Sequence, residues 1–174
     1  MMNIIRIIAV LLLAAVGARA SVEEDVQYIR DIYGDVGEQI ENGELYRTSV
    51  EINADGLSYP AVGVYHGMLD FYFGYAEESY YPDNLMKAVL TMERSAYEEY
   101  TEFLYNGYGD LIFVYATGQP NMPEMRFYYK SGEVFRIVMG SETLHSFDDQ
   151  QLEYADRFMR QGTDLVETLQ RLFF

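Results

Sequence analysis

Four glutamates lie close together in one segment of the sequence: Glu93, Glu98, Glu99 and Glu102. A pair of carboxylates about 5 to 10 Å apart is the arrangement with which glycoside hydrolases flank the bond they cleave. In a strand, Glu98 and Glu102 share a face and stand four residues apart at about 3.3 Å per residue, a distance that does not exclude such a pair. The alternative is that these glutamates form the solvated edge of a strand in a protein rich in acidic residues.

The residue types of this sequence give little support to metal binding or to thiol catalysis. The sequence has no cysteine, which excludes thiol catalysis, disulfides and thiolate metal sites. The two histidines, His66 and His145, have no metal-ligand spacing to each other. Residues 51–56 look like the opening of a calcium loop, but the twelfth position is Val62, where a bidentate glutamate is required. We therefore expect neither a metal nor a cofactor.

Aromatic and cationic side chains alternate in one segment and are the candidates for a binding surface. Arg126, Tyr128 and Lys130 fall at every second position and therefore share one face of a strand. Tyr100, in an earlier strand, completes the candidate set. Arginine and tyrosine are enriched among the residues that dominate binding energies. They are also common as cross-strand partners of acidic residues such as Glu133, which is the alternative interpretation.

Two consecutive hairpins give the clearest structural signal. Residues 103–115 (FLYNGYGDLIFVY) and 127–138 (FYYKSGEVFRIV) each read as strand, glycine turn, strand, and the two segments align with each other. The first hairpin is apolar on both faces, which predicts a central position in a sheet that is covered on both sides. The terminal helices are expected to supply part of that cover, and a second copy of the chain is a candidate for the rest.

The turn of the second hairpin predicts its register. With residues 131–132 as a two-residue loop, Tyr129 opposes Val134 and Phe127 opposes Arg136. This register places Arg126 and the alternating residues that follow it on the face opposite to Phe127.

The paired hairpins resemble those of exported bacterial proteins to which no function is assigned. In those proteins a tyrosine, a turn and a Gly-x-Leu-Ile-Phe strand are followed by Arg-Phe-Tyr, a turn and a Gly-x-Val-x-Arg strand. The resemblance covers residues 100–139, about a quarter of the chain. It implies no activity, so no catalytic residue is carried over from it.

The remaining elements are predicted from the spacing of apolar residues. An N-terminal helix is expected to begin at a capping box formed by Ser21 and Glu24, and a C-terminal helix to begin near Ser146, with Asp149 as part of its cap. Residues 85–105 contain good helix formers, but the alternation and the Tyr, Thr and Phe content of residues 97–105 favour strands over a helix. Between these elements we expect a helix end at residues 42–43, a strand at 46–52, a turn at 53–56, a strand segment at 61–75 that breaks near 66–67, and a loop at 80–84.

The first twenty residues have the three parts of a cleavable secretory signal peptide. A short segment carrying Arg6 precedes the uncharged apolar run 7–17, which leads into the small-x-small box Ala18-Arg19-Ala20. This run of eleven residues is too short to cross about 30 Å of hydrocarbon, for which about 20 residues are needed. We expect cleavage after Ala20 and a periplasmic or secreted destination, with an uncleaved anchor as the alternative.

The charge balance narrows the classes of partner. The chain has 12 basic and 28 acidic residues, a net charge of −16, and loss of residues 1–20 with Arg6 and Arg19 makes it −18. Such a surface repels phosphate backbones and anionic lipids, so neither nucleic acid nor, after cleavage, a membrane is an expected partner. The 17 tyrosines and 10 phenylalanines argue against disorder and suit a packed core or an interface.

Together these observations predict a single α+β domain over residues 21–174, built as a curved antiparallel β-meander of about six strands flanked by N-terminal and C-terminal helices. We expect a non-enzymatic binding or inhibitor-like domain that uses an aromatic sheet face, with a protein, peptide or glycan of the cell envelope as its partner. Two alternatives remain open: a carboxylate-dependent, glycan-directed hydrolase, and a self-associating structural protein that forms homo-oligomers.

Overall fold

The computed structural model describes residues 2–60, 63–74 and 84–173, and for residues 2–20 it describes the backbone alone. Two helices flank an antiparallel sheet, which confirms the α+β class and the two terminal helices. The prediction of about six strands is wrong, because the described residues form nine. Two of the nine are only two residues long, too short to show an alternation in the sequence.

In chain order the elements are α1 (Met2–Glu41), β1 (Tyr46–Ile52), β2 (Ser58–Tyr59), β3 (Gly63–Gly74), β4 (Asn84–Arg94), β5 (Tyr97–Tyr105), β6 (Leu111–Thr117), β7 (Met125–Lys130), β8 (Glu133–Met139), β9 (Glu142–Thr143) and α2 (Asp149–Arg171).

The strands form a meander with chain neighbours side by side. The order across the sheet is β1-β3-β4-β5-β6-β7-β8-β9, and β2 pairs with β3 beside this path. Every pairing is antiparallel, which confirms the predicted strands within residues 85–105 and excludes the helical alternative there. The strand expected to break near residues 66–67 is continuous as β3, because Gly67 sits against Ile52 of β1 and Met92 of β4 and lets the backbones pass closely.

The ends of the helices differ in part from expectation. Helix α1 ends at Glu41 as predicted, and Gly43 follows with a φ of 71°, a conformation that glycine adopts readily. The helix does not begin at Ser21, because its backbone is helical from Met2 onward, so the Ser21 capping box is not formed in the full chain. No helix in the part of the chain described here is both long and apolar enough to cross a membrane.

Helix α2 is capped one position before its first residue. Asp148 accepts a hydrogen bond from the Gln151 backbone N–H at 2.8 Å, and the Gln151 side chain accepts from the Asp148 N–H at 3.0 Å. This reciprocal pair is a capping box, so the prediction that Ser146 caps the helix is wrong. The loop predicted at 80–84 lies, apart from Asn84, outside the described residues, as do both ends of the strand segment predicted at 61–75.

Each face of the sheet has its own core. Helix α2 covers one face with a stripe of apolar residues, and α1 covers part of the other. The hairpin β5–β6 is apolar on both faces, so its predicted central position with cover on both sides is confirmed. The core on the α2 face includes Phe71, Phe103, Tyr105, Val114, Phe127, Tyr129, Ile137, Phe158 and Leu169. The core on the α1 face includes Val26, Ile29, Val36, Leu104, Ile112, Phe113 and Tyr128.

Three hairpins of the sheet share one detailed geometry. The pairs β3–β4, β5–β6 and β7–β8 each shift register by one residue near the turn, because one extra residue bulges from the second strand. The extra residues are Met86, Ile112 and Phe135, and they occupy equivalent positions in the three segments. The two-hairpin repeat seen in the sequence therefore extends to a third copy and to the bulge itself.

The same repeat fixes α2 on its face of the sheet. The Tyr105 hydroxyl donates to the Gly162 carbonyl at 2.7 Å, and the Tyr129 hydroxyl at the equivalent position donates to the Ala155 carbonyl at 2.9 Å. Seven helical residues rise about 10.5 Å, which nearly equals the spacing of two strands at about 4.8 Å each. One heptad of α2 therefore spans one hairpin of the sheet.

Candidate functional site

The bulges decide which side chains reach the α1 face. A bulge turns two successive residues toward the same side, so Phe135 and Arg136 both face α1, as do Ile112 and Phe113. The predicted pairing of Tyr129 with Val134 is confirmed, but that of Phe127 with Arg136 is wrong, because Arg136 pairs with Tyr128. The bulge thereby moves the Arg136 guanidinium from the apolar face that α2 covers to the face that α1 covers, where it reaches Glu23.

A cavity of about 550 Å³ lies between α1 and the sheet at strands β6 to β9. Helix α1 forms one wall and the bulged strands form the other. Its lining combines cationic, phenolic and apolar side chains, and none of the described lining residues is acidic. The lining residues are Ile29, Arg30, Tyr33, Gly34, Phe113, Tyr115, Arg126, Tyr128, Arg136, Val138 and Thr143.

Two of the three cavity arginines are held by carboxylates at the rim. Arg126 donates to Glu124 at 2.6 Å and lies 5.5 Å from the centre of the Tyr115 ring, and Arg136 donates through both terminal nitrogens to Glu23 of α1. Hydrogen bonds from these arginines lower the pKa of Glu124 and of Glu23 below the ordinary value, so both carboxylates stay ionised at neutral pH.

The third arginine, Arg30, is exposed on α1 and makes no hydrogen bond or ion pair within the described part of the chain, although its charge, like that of Arg136, lowers the pKa of Glu23. The Tyr128 hydroxyl likewise has no hydrogen-bond partner there, although the residue is only 5% exposed. The Tyr128 ring packs edge-on against Phe113, with centres 5.0 Å apart, and Phe113 packs edge-on against Tyr33 at 5.7 Å. The cavity thus has an aromatic wall. Next to it lie two donors that have no hydrogen-bond partner among the described residues, the Arg30 guanidinium and the Tyr128 hydroxyl.

The four residues predicted as binding candidates lie on the same face but in three different places. Arg126 and Tyr128 line the cavity. Lys130 lies outside it and bonds both oxygens of Asp25 on α1 at 2.7 Å. Tyr100 lies beside the cavity, where its ring meets Tyr115 at 6.3 Å and its hydroxyl donates to Glu102. This part of the face is not an open surface, because α1 packs over it.

Glu102, predicted as a candidate catalytic carboxylate, is buried in a cluster of its own beside the cavity. Its side chain is 7% exposed and its oxygens accept hydrogen bonds from Tyr33, at 2.7 Å, and from Tyr100. The Lys87 ammonium lies 2.9 Å from Oε1 and 4.7 Å from the centre of the Tyr33 ring. The cluster joins α1, β4 and β5 and satisfies the charge of Glu102 from three sides.

The titration of this cluster follows from its contacts. Burial raises the pKa of Glu102, but the hydrogen bonds from Tyr100 and Tyr33 and the charge of Lys87 lower it by more, so the net pKa lies below the ordinary value. Burial and the bond to Glu102 raise the pKa of both phenols, which therefore remain protonated donors at neutral pH. Glu102 is thus a fixed anion held by neutral and cationic donors.

The other residues considered for catalysis or for metal binding lie apart from the cavity. Glu99 bonds Arg94 at 3.0 Å, while Glu98 and Glu93 are exposed and face each other across β4 and β5. His66 contacts Glu51 at 2.9 Å at the surface. Among the described residues no three His, Asp or Glu side chains form a group that could hold a metal ion.

Sequence reasoning missed the residues that complete the cavity: Arg30, Tyr33, Tyr115 and Arg136. The first two lie on α1 and meet the sheet only in the tertiary structure. A signal for Arg136 did exist, because a regular register would place its guanidinium on the apolar face of Phe127 and Tyr129. That conflict with burial indicates a register shift between these residues and the turn.

Comparison of the chain with protein-family models, with curated proteins and with solved structures gave no match.

Proposed function

We propose that this protein is a non-enzymatic binding domain whose ligand site is the cavity between α1 and strands β6–β9. The observation that carries the proposal is the cavity lining. Three arginines and three tyrosines face a space of about 550 Å³ in a chain whose net charge is −16. Cavities of this size, with apolar walls and a few placed polar groups, are typical of sites for small molecules.

The chemistry of the lining supports binding rather than turnover. The described lining residues include no carboxylate, imidazole or amine that would exchange a proton near neutral pH. Glu102 lies outside the lining, and its lowered pKa is the opposite of what a glycosidase acid requires. The hydrolase hypothesis therefore draws no support from the region of residues 93–102.

The cover by α1 changes the kind of partner that fits. A flat protein surface does not reach side chains that lie beneath a helix, whereas a small molecule or the end of a peptide or glycan does. The proposal therefore narrows the expected aromatic sheet face to a cleft between the sheet and the helix, with Arg126 and Tyr128 inside it. Lys130 and Tyr100 instead hold α1 and the neighbouring buried cluster in place.

Export to the cell envelope is part of the proposal and rests on the composition of residues 1–20. The test is N-terminal sequencing of the protein recovered from the periplasm or the medium after expression of the full sequence in a bacterium. We expect the first residue to be Ser21. Recovery of a chain that still carries residues 1–20, or recovery in the cytoplasm alone, would contradict the proposed export.

The binding proposal is tested by a thermal-shift screen with short peptides, oligosaccharides and cell-wall fragments. A ligand at 100 times its dissociation constant stabilises the folded state by about 2.7 kcal/mol. For a domain of this size that raises the melting midpoint by roughly 5 to 11 °C. We expect at least one class of ligand to produce a shift of this order.

Variants then locate the site. Arg126→Gln removes the guanidinium charge from the cavity but keeps a polar side chain, and Tyr128→Phe removes only the hydroxyl. The matched controls are Arg160→Gln on the exposed surface of α2 and Tyr108→Phe, whose side chain is 91% exposed. We expect the ligand-induced shift to shrink in the two cavity variants and to persist in both controls. A shift that is unchanged in Arg126→Gln and Tyr128→Phe would place the ligand elsewhere.

A further inference from the structure

The following inference rests on the proposed binding function and concerns the chemistry of the ligand. We infer that the cavity binds a small organic carboxylate, in competition with the protein's own Glu23 and Glu124. The ligand carboxylate lies between Arg126 and Arg136, and an aromatic or apolar body packs against Phe113 and the adjoining rings.

Arg126 and Arg136 already bind carboxylates in the structure. Arg126 donates to a carboxylate oxygen of Glu124 at 2.6 Å. Arg136 donates through Nη1 to Oε2 of Glu23 at 3.2 Å and through Nη2 to Oε1. This two-pronged contact is the arrangement in which arginine recognises carboxylates best. Both groups are therefore oriented for the chemistry that the ligand would bring.

These two arginines hold the carboxylates of Glu23 and Glu124 only weakly, because both carboxylates are partly exposed to water. The side chain of Glu23 is 66% exposed and that of Glu124 is 38% exposed. Ion pairs with exposed partners contribute little, since water solvates the carboxylate almost as well as the arginine does. The side chain of Arg136 is only 16% exposed, so it is largely removed from water and its charge gains more from an anion inside the cavity.

The lining carries a local excess of positive charge. The three charged residues among its described members, Arg30, Arg126 and Arg136, are all cationic. Two are matched by carboxylates at the rim, while Arg30 has no ion-pair partner among the described residues. Screening leaves local charges dominant within about 10 Å, so this positive region can attract an anion although the chain as a whole is acidic.

The aromatic wall of the cavity indicates that the rest of the ligand is apolar or aromatic. Phe113 is 7% exposed and Tyr128 is 5% exposed, and both contribute ring surface to the cavity. An aromatic body placed there would extend the edge-on stack of Tyr33, Phe113 and Tyr128. The free Tyr128 hydroxyl is then available to donate to the ligand.

Arg136 also marks the direction in which a longer ligand would extend. Together with Thr143 it lines a second cavity of about 580 Å³, whose lining includes Glu23. Arg136 and Thr143 are therefore shared by the walls of the two spaces.

The experiment uses protein expressed from the full sequence and three probes that share one ring: benzoate, its neutral analogue benzyl alcohol, and phenyl phosphate. Calorimetry or NMR titration gives the affinities, and shifts in the resonances of the cavity residues show where each probe binds. We expect benzoate to bind in the cavity at least tenfold more tightly than benzyl alcohol, because the neutral analogue lacks the charge-assisted hydrogen bonds. Phenyl phosphate should bind no better than benzoate.

Two substitutions are expected to change the affinity for benzoate in opposite directions. Arg126→Gln should weaken benzoate binding about tenfold or more. Glu23→Gln should strengthen it about two- to fivefold, because the competing carboxylate is gone. The matched control is Glu24→Gln, an exposed neighbour on α1 that should leave the affinity unchanged. A residue with a merely structural role would not increase affinity when it is neutralised.

The outcomes separate this inference from the function on which it rests. Cavity shifts with benzyl alcohol that match those with benzoate would overturn the carboxylate inference and leave the binding site in place. Preference for phenyl phosphate would overturn it in favour of a phosphate ligand. Unchanged or weaker binding in Glu23→Gln would refute the competition. Absence of cavity shifts with all three probes also overturns the inference, while the wider ligand screen decides the binding function independently.

Discussion

Replacement of Glu102 by glutamine tests the reasoning about the buried cluster most directly. The change keeps the shape of the side chain and removes its charge, so the ammonium of Lys87, whose side chain is 12% exposed, loses its ion-pair partner. Removing one member of a buried ion pair costs about 3 to 5 kcal/mol, because the remaining charge stays desolvated. The Tyr33 ring, 4.7 Å from the ammonium, offsets part of this cost.

We therefore expect Glu102→Gln to lower the free energy of unfolding by about 3 kcal/mol, which corresponds to roughly 6 to 12 °C in the melting midpoint. Urea unfolding followed by tyrosine fluorescence measures this quantity. The matched control is Glu98→Gln, four residues earlier on the same strand and exposed, which should change the stability by less than about 0.5 kcal/mol.

The pH dependence has a definite sign. The pKa of Glu102 in the folded state lies below its ordinary value of 4.5, so its charge stabilises the fold fully above that value. The stabilisation is lost as the pH falls through the folded-state pKa. The difference in stability between the wild-type protein and Glu102→Gln should thus be largest at neutral pH and should shrink in acid.

A second substitution separates the lost ion pair from other effects. The double variant Lys87→Met, Glu102→Gln has no charge left in this buried cluster. It should therefore be more stable than Glu102→Gln alone. A loss of less than about 1 kcal/mol in Glu102→Gln, or a difference that stays constant from pH 7 to pH 3, would refute the view that this carboxylate is buried, ionised and held by Lys87.

Two further predictions concern the frame that holds the cavity. Gly118→Ala should destabilise the protein by at least about 3 kcal/mol, because φ is +87° and the new Cβ would lie 1.8 Å from a backbone oxygen of β5. Gly37→Ala, in open space on α1, should instead stabilise it by about 1 kcal/mol, and equal effects in thermal melts would contradict the argument. Tyr105→Phe and Tyr129→Phe should each cost about 1 kcal/mol in urea unfolding, since each removes one buried hydrogen bond to α2. Stability unchanged in both variants would show that these bonds do not hold the helix.

The elements themselves were predictable where the local sequence carries the cause. The glycine turn at residues 131–132 sets a two-residue hairpin, because Ser131 and Gly132 both adopt positive φ values. Alternation of apolar residues located the longer strands. The strand count fell short in part at β2 and β9, since two residues cannot show a period.

The candidate site was predictable only in part. Arg126 and Tyr128 were identified because they alternate along one strand, and that strand does border the cavity. The face was expected to be open, however, and the residues contributed by α1 could not be assigned from the sequence. Helix and strand lie about ninety residues apart in the chain, so no local pattern links Tyr33 to Arg126.

The sequence by itself determined the hairpin repeat, the α+β class and the acidic surface, because each depends on local spacing or on composition alone. Only the tertiary structure decided the bulges at Met86, Ile112 and Phe135 and the positions of the two helices. A bulge adds one residue, and the sequence shows it only where a regular register would place a charge on an apolar face, as at Arg136; its exact position is selected by which side chains each face can bury. Those shifts turn Lys87 and Arg136 toward α1, and that orientation creates both the buried cluster and the cationic cavity.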